Sequence, residues 1–282
     1  MKKLYVINNS GQKEPFSWKK ICISAERVGA SKILAKQIAN IIEKEAYPGI
    51  STREIFQRVE QILSKEYPRG RIRFRLKQAM RRLGPSGFPF EKYVSDIFKQ
   101  LGFSVQINKY IKGKCVRHEI DFLAEEEKYI LIGECKYHSL PGGRVDLKVG
   151  LIHYARFLDL KLGDLFKRIK SKKLKARPII VTNTKFTSKI IKYSECTGIN
   201  LLGWKYPDSR GLEYIIESEG FYPITILPSL TDNLLTIFSE KKLMLVQNLL
   251  KINTTNFSKK TGVPEKKISA LKREAEILLK ER

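Results

Sequence analysis

From Trp18 to Gly84 the apolar positions recur at three and four: Ile21, Ala25 and Val28, then Ile33, Leu34, Ile38, Ile41 and Ile42. That spacing predicts amphipathic helices that share one core. Ser31 is placed to cap one of them, and Ser51-Thr52-Arg53-Glu54 reads as a capping box opening a helix over 54–65, which Pro68 and Gly70 end. A further helix is predicted over 71–82. A short strand at 4–7 and a turn at Asn8-Asn9-Ser10-Gly11 precede this block, and Gly84-Pro85-Ser86-Gly87 is the clearest linker in the chain. Beyond it the pattern changes to a helix-then-strand run over 93–105 and two strands, HEIDFLA and KYILIGECKY, joined by an acidic turn at 125–128. A loop at Pro141-Gly142-Gly143 leads to a helix over 146–160 and a basic segment at 167–177. A buried strand at 178–183, a helix over 187–197 closed by Gly198, and a buried strand at 199–204 follow. Strand, helix, strand with apolar strands implies a right-handed parallel crossover. The fold class is therefore α/β, a mixed sheet flanked by helices. From residue 230 three amphipathic helices are predicted, at 230–238, 241–250 and 265–279.

The hairpin concentrates the chemistry. If its turn closes with Ala124 opposite Tyr129, Asp121 faces Ile132, and Glu134 and Lys136 share that face. Asp121 and Glu134 then lie diagonally, roughly 5–8 Å apart, with Lys136 one step further. Two carboxylates so placed can hold Mg²⁺ or Mn²⁺, a hard ion that keeps most of its waters. A lysine beside them can orient water or offset developing negative charge. Residues Tyr129 to Ile132 are apolar on both faces, as in the middle of a sheet, where charged residues seldom lack a role. Cys135 points to the opposite face and reads as core. His118, His138 and Lys148 lie close in sequence and read as supporting or phosphate-contacting groups.

Composition narrows the partners. The 282 residues carry a formal charge of +25, which implies a polyanion, nucleic acid before membrane surface. No apolar run approaches a membrane span, and the N-terminus lacks the apolar core of a signal peptide. Four scattered cysteines without a C-x-x-C pair suit neither a zinc site nor a disulfide framework, and fit a cytoplasmic protein.

Asp121, twelve residues, then Glu134-Cys135-Lys136 resembles the motif of the PD-(D/E)xK nuclease superfamily, within it the restriction-endonuclease-like, Mrr-type branch. Glu91 in GFPFEKYVSDIFKQLGFSV fits that pattern's helix glutamate. The resemblance covers about residues 87–207 and implies a restriction-endonuclease-like core. Asp121 and Glu134 would be its metal ligands, Lys136 the residue that positions the water, and Glu91 the completion of the acidic cluster. Where many Mrr-like members carry a glutamine on the following helix, this chain has His153 and Tyr154.

Residues VINNSGQKEPFSWKKI and VGASKILAKQIANII resemble the ATP-cone, a nucleotide-binding regulatory domain, with Gly11, Phe16 and Lys20 at family positions. Asn8, Asn9 and Ser10 stand where that family usually has Lys-Arg-Asp. Lys20 and Gly11 are the candidate contacts for ATP or another nucleotide; a helical domain that only positions the nuclease or touches DNA is the other reading. The run 69–82 is cationic without an acid, and Arg71, Arg73 and Arg75, with Lys170, Lys172 and Lys173 further on, are candidate phosphate contacts. Thr261-Gly262-Val263-Pro264 and the helix after it resemble a helix-hairpin-helix module, in which Gly262 would present backbone amides to a phosphate; a helical dimerisation tail reads as well. The expected organisation is an ATP-cone-like domain at 1–86, a nuclease domain at 87–228 and a helical module at 229–282. The expected activity is Mg²⁺-dependent endonucleolytic hydrolysis of double-stranded DNA, restriction-type, with a homodimer left open. A non-catalytic DNA-binding regulator and a structure-specific repair nuclease or junction resolvase are the alternatives.

Overall fold

The computed structural model describes residues 4–8, 11–84, 88–139 and 142–280. The linker residues 85–87, turn residues Asn9 and Ser10, and loop residue Pro141 lie outside the described residues. Two compact units are present: residues 1–77 with 226–228 and 276–282, and residues 78–225 with 229–275.

In the first unit, strands β1 (Tyr5–Ile7) and β2 (Lys13–Pro15) pair antiparallel, and a two-residue strand β3 (Ile50–Ser51), not anticipated from the sequence, pairs parallel to β1. The helices are α1 (Trp18–Arg27), α2 (Lys32–Glu45), α3 (Thr52–Glu66) and α4 (Pro68–Phe74). The Ser17, Ser31 and Ser51 hydroxyls cap the first three by accepting the N–H three residues on. Pro68 opens α4 rather than only closing α3, as proline at a first helical position can. Ile21, Ala25, Ile38, Ile42, Val59 and Leu63 form the core.

The second unit starts at Gln78, inside α5 (Leu76–Arg81), earlier than the expected boundary. Local bonds explain the shift: the Ala79 carbonyl accepts the Thr225 hydroxyl at 2.8 Å, and Arg82 donates to the Leu230 carbonyl at 2.8 Å and to Asp232 at 2.9 Å. After α6 (Phe88–Gln100) come β4 (Ser104–Lys112), β5 (Arg117–Glu125) and β6 (Tyr129–Lys136). They are followed by β7 (Arg144–Val145), α7 (Leu147–Lys161), α8 (Asp164–Ser171), β8 (Lys175–Thr182), β9 (Lys185–Phe186), α9 (Ser188–Thr197) and β10 (Asn200–Leu202). The main sheet has the order β10-β8-β6-β5-β4, parallel on the β10-β8-β6 side and antiparallel on the other, and β7 and β9 form a separate parallel pair. This is the mixed α/β arrangement expected. One face carries α6, with the Phe98 and Phe122 rings stacked at 5.1 Å. The other carries α7 and α8 through Phe157, Leu160, Leu165, Phe166 and Ile169 packed on Leu123, Ile130 and Ile132. The segment 167–177, read only as basic, is divided between α8 and β8; Leu165, Phe166 and Ile169 supply the apolar face of the helix.

Residues 229–275 pack in the same unit as the sheet rather than apart from it. Here α10 (Leu212–Glu219), a 3₁₀ turn at Ile224–Ile226, α11 (Asp232–Glu240), α12 (Val246–Leu250), α13 (Thr254–Thr261) and α14 (Glu265–Leu279) follow in order. Helices α10 and α13 were not read from the sequence, and α12 is half the length expected. The outer side of α6 is buried within the unit: Lys92 donates to the Ser239 carbonyl at 2.7 Å and the Tyr93 hydroxyl to the Phe221 carbonyl at 2.7 Å. Among the described residues, no helix is long and apolar enough to cross a membrane.

Candidate functional site

The β5–β6 hairpin is tighter than expected. Glu126 N–H donates to the Tyr129 carbonyl at 2.9 Å, leaving a two-residue turn, and the register runs Glu125↔Ile130 to Phe122↔Gly133. Glu125 extends the ladder, and Lys172, the residue that caps α8, lies 2.5 Å from its carboxylate. The register therefore differs by two from the expected one. A shift of two preserves faces, so Asp121 still falls on the face of Glu134, one step beyond the last ladder pair Phe122↔Gly133.

At Asp121 the strand is distorted. The β4–β5 ladder passes from Ile107↔Phe122 to Lys109↔Ile120, skipping Asn108 and Asp121, and Asn108 has a positive φ of 51°. The β5–β6 ladder ends one residue before Asp121. Beyond the distortion Ile120 joins the same core as Leu123, although residues three apart face opposite ways in a regular strand. The donor that the interrupted ladder frees is taken by a side chain: Cys135 N–H donates to Asp121 Oδ2 at 2.6 Å. Gly133 makes this possible. A methyl there would sit 2.1 Å from the Phe122 ring, which covers the strand at that point.

Glu134 is 6 % exposed, on the central strand. Its Oε1 lies 2.6 Å from Lys136 Nζ and its Oε2 2.5 Å from Arg156 Nη1. The Lys136 backbone is fixed by the Thr182 hydroxyl, which donates to its carbonyl at 2.6 Å. His153, one turn before Arg156 on α7 and fully buried, donates through Nε2 to the Ile132 carbonyl at 3.1 Å. A carbonyl can only accept, so Nδ1 is the bare nitrogen of the ring. It has no hydrogen-bond partner and faces Glu134 Oε2 at 3.9 Å. Glu91, in the first turn of α6, joins from the end of the sheet where β6 stops and where the Phe90 and Tyr137 rings meet at 5.8 Å.

The three carboxylates differ in charge state. Burial and the neighbouring Asp121, Glu119 and Glu134 push Glu91 up to about 7. Burial and Glu134 push Asp121 up to about 6 against the opposing Cys135 N–H. Burial would also raise Glu134, but Lys136 and Arg156 outweigh it and hold the group below its ordinary value. Burial drives His153 down to about 4, so its ring is neutral. Among the described residues no three His, Cys, Asp or Glu side chains converge closely enough to form a metal cage. Mg²⁺ ordinarily uses one or two carboxylates, with waters and phosphate oxygens completing its shell. Asp121 and Glu134 on neighbouring strands, beside the unpartnered Nδ1 of His153, form a donor set that fits such an ion.

Of the four residues expected to act together, Asp121, Glu134 and Lys136 meet in space and Glu91 adjoins them. Arg156 and His153 complete the corner. His153 had been seen only as a departure from a family pattern, and Arg156 was missed. The one signal was a cation a single turn from a histidine on the helix expected over 146–160. His118 belongs elsewhere: its Nε2 lies 2.7 Å from Asp159, which also accepts Cys115 N–H at 2.8 Å and Val116 N–H at 3.3 Å. His138 is bracketed by Asn183, which accepts its N–H at 2.9 Å and donates to its carbonyl at 2.8 Å. Lys148 is exposed on the first turn of α7, and Cys135 is buried as expected.

The remaining candidates are placed as follows. Arg71 and Arg75 lie 3.1 and 3.5 Å from Glu60 of α3, so the run without acids in sequence meets one in space; Arg73 is half-buried. Lys170 and Lys173 are exposed, and Lys172 is paired with Glu125. Gly262 caps α13 at φ 73°, and its N–H donates to the Ser258 carbonyl at 2.8 Å, so that amide is not the free donor expected for a phosphate. In the first unit Lys20 lines a cavity of about 210 Å³ with Phe16, Phe56, Phe74 and Ile55, and its ammonium lies 3.4 Å from Glu14. Gly11 closes the β1–β2 turn at φ 77°, outside that lining.

Residues 222–279 match the family model described as AF1548-like, C-terminal. An uncharacterized protein of Archaeoglobus fulgidus is 41% identical over 133 residues, which span 46% of this chain and 69% of that protein. The chain belongs to the AF1548-like family. The crystal structure of AF1548, a protein of unknown function, superposes with a TM-score of 0.57 at 32% identity, covering 67% of this chain and 96% of that one. The family match begins at residue 222, within the expected nuclease domain, and takes in all the helices from α11 onward.

Proposed function

We propose that the protein is a divalent-metal-dependent DNA endonuclease of the restriction-endonuclease-like, PD-(D/E)xK type. The observation that carries this reading is the corner itself: Asp121, bound by the Cys135 N–H next to Glu134, with Lys136 2.6 Å from that glutamate and Glu91 adjoining. Asp121 and Glu134 would hold the ion, most simply Mg²⁺ or Mn²⁺. Such an ion supplies Lewis-acid polarisation of a phosphodiester and acidification of a water. Lys136, 40% exposed, is placed to orient an incoming water and to offset charge on the phosphate. Glu91, near half-protonated at neutral pH in the metal-free protein, can take up or release a proton. A formal charge of +25 supports a polyanionic substrate.

Nucleotide regulation fits less well. The cavity of about 210 Å³ is apolar and smaller than the roughly 300 Å³ from which small-molecule sites begin, and its lysine already faces Glu14. We therefore read the first unit as a positioning module and assign it no triphosphate.

One observation favours a non-catalytic DNA-binding regulator: both oxygens of Glu134 are engaged by cations, as in a structural ion pair. Incubation of supercoiled plasmid with Mg²⁺ or Mn²⁺ separates the two. Metal-dependent nicking or linearisation abolished by both Asp121→Ala and Lys136→Ala establishes the nuclease. Binding without cleavage across linear, branched and modified DNA establishes the regulator.

A further inference from the structure

Arg156 raises a question that packing does not answer. Its guanidinium uses Nη1 on Glu134 Oε2 at 2.5 Å and meets no second hydrogen-bond partner among the described residues, leaving most of a five-donor fork unused. The side chain is 22% exposed at the edge of the corner, on a helix whose neighbouring positions His153 and Phe157 are buried. A cation so placed blocks the carboxylate oxygen that a metal would need. Lys136 blocks the other oxygen, but it lies two residues away on the same strand, its backbone tied to Thr182. Arg156 reaches in from another element on a long stem and is the cation free to leave.

Resting on the nuclease reading above, we propose that Arg156 is an exchangeable counterion: it holds Glu134 until a divalent ion takes its place, then transfers to a phosphate oxygen of the bound DNA. Charge accounting supports the order of events. With all carboxylates ionised, Glu91, Asp121 and Glu134 face Lys136 and Arg156, which leaves the corner one negative charge. A divalent ion turns that into one positive charge, the amount a phosphodiester neutralises. The freed guanidinium then has the planar fork that binds phosphate in a bidentate manner, which a lysine cannot reproduce. The exchange also keeps a buried glutamate from ever standing uncompensated, a state that is strongly unfavourable.

The test is Mn²⁺ binding to the full-length, DNA-free protein, followed by electron paramagnetic resonance of the free ion, beside plasmid cleavage at saturating Mn²⁺. Arg156→Gln should bind Mn²⁺ about tenfold more tightly than wild type, because a competing charge is gone, and should cleave about a hundredfold more slowly. Arg156→Lys should fall between the two on both readouts, and it serves alone if the glutamine variant does not fold. Binding no tighter than wild type in both variants, or cleavage at the wild-type rate in Arg156→Gln, overturns the exchange. Glu134→Gln separates the two levels: if it removes wild-type Mn²⁺ binding while Arg156→Gln leaves binding unchanged, only the exchange fails. If Glu134→Gln binds Mn²⁺ as wild type does, the metal reading of the corner fails and the exchange with it.

Discussion

Helix α7 makes two histidine–carboxylate contacts with the sheet, and they are built in opposite ways. At one, Asp159 accepts the N–H groups of Cys115 and Val116 and faces His118 on β5 at 2.7 Å. The Cys115 N–H leads the groups that hold this carboxyl well below its ordinary range, and burial opposes them without success. At the other, His153 and Glu134 lie 3.9 Å apart with no hydrogen bond between them, and the carboxylates beside them are pushed up to about 6 and about 7. A saturated carboxylate whose charge is satisfied by fixed donors is a fastener: it ties the β4–β5 turn to the helix. Asp121 and Glu91, which the fold leaves short of such donors beside a Glu134 already paired with Lys136 and Arg156, mark a place where a further cation would gain. Counting acids would not separate the two; counting their partners does.

Substitutions at the two corners should part company most widely in cleavage. Asp121→Ala is expected to lower the plasmid cleavage rate about a thousandfold or more, in keeping with loss of a charge-stabilising group. Asp159→Ala should lower the melting temperature while leaving metal-dependent cleavage measurable below it; a reversed pattern would exchange the roles assigned to the two corners. Next in size is Gly133→Ala, where the new methyl meets the Phe122 ring. Overpacking of this kind costs about 1–3 kcal/mol, read by urea denaturation.

Acidity should distinguish the corners with opposite signs. Glu91 and Asp121 have folded values above their ordinary 4.5 and 3.8. The folded state thus binds their protons more tightly, and the stability they contribute is present at low pH and lost as pH rises through about 6 to 7. The metal-free protein should melt at lower temperature at about pH 8 than at about pH 5.5, and Glu91→Gln should flatten the slope. Asp159 works the other way, losing its contribution only as pH falls below the ordinary carboxylate range. The smallest effect is expected at Lys172→Ala, which removes a half-exposed partner of Glu125 and should cost less than about 1 kcal/mol by the same denaturation assay.

Much of the architecture was legible where local chemistry decides it. Ser31 and Ser51 cap helices as their spacing predicts, Gly198 ends α9 in the left-handed region, and α14 has the bounds that its apolar period implies. What escaped depends on distant residues. Helix α13 buries a single side chain, Phe257, so it has no period to read. The hairpin register turns on whether Glu125 stays in the ladder, and its partner Lys172 is 47 residues away. Arg71 and Arg75 looked like an unopposed cationic run because Glu60, on the preceding helix, is not adjacent in sequence. For the site, Asp121, Glu134 and Lys136 could be grouped because two adjacent strands carry them; Arg156 could not, since only the packing of α7 on the sheet brings it to Glu134.

The burial of α6 on both sides has a consequence for when the corner comes into being. Glu91 rides on this helix, while Lys92 and Tyr93 are anchored by carbonyls of Ser239 and Phe221, about 130 to 150 positions later. A ribosome adds roughly 5–20 residues each second. For some seconds, then, the nascent chain holds strands and acidic side chains but lacks the cover that seats their helix. The corner is closed by a segment made long after its own strands, so a copy cut short by a premature stop before residue 221 would be left without it.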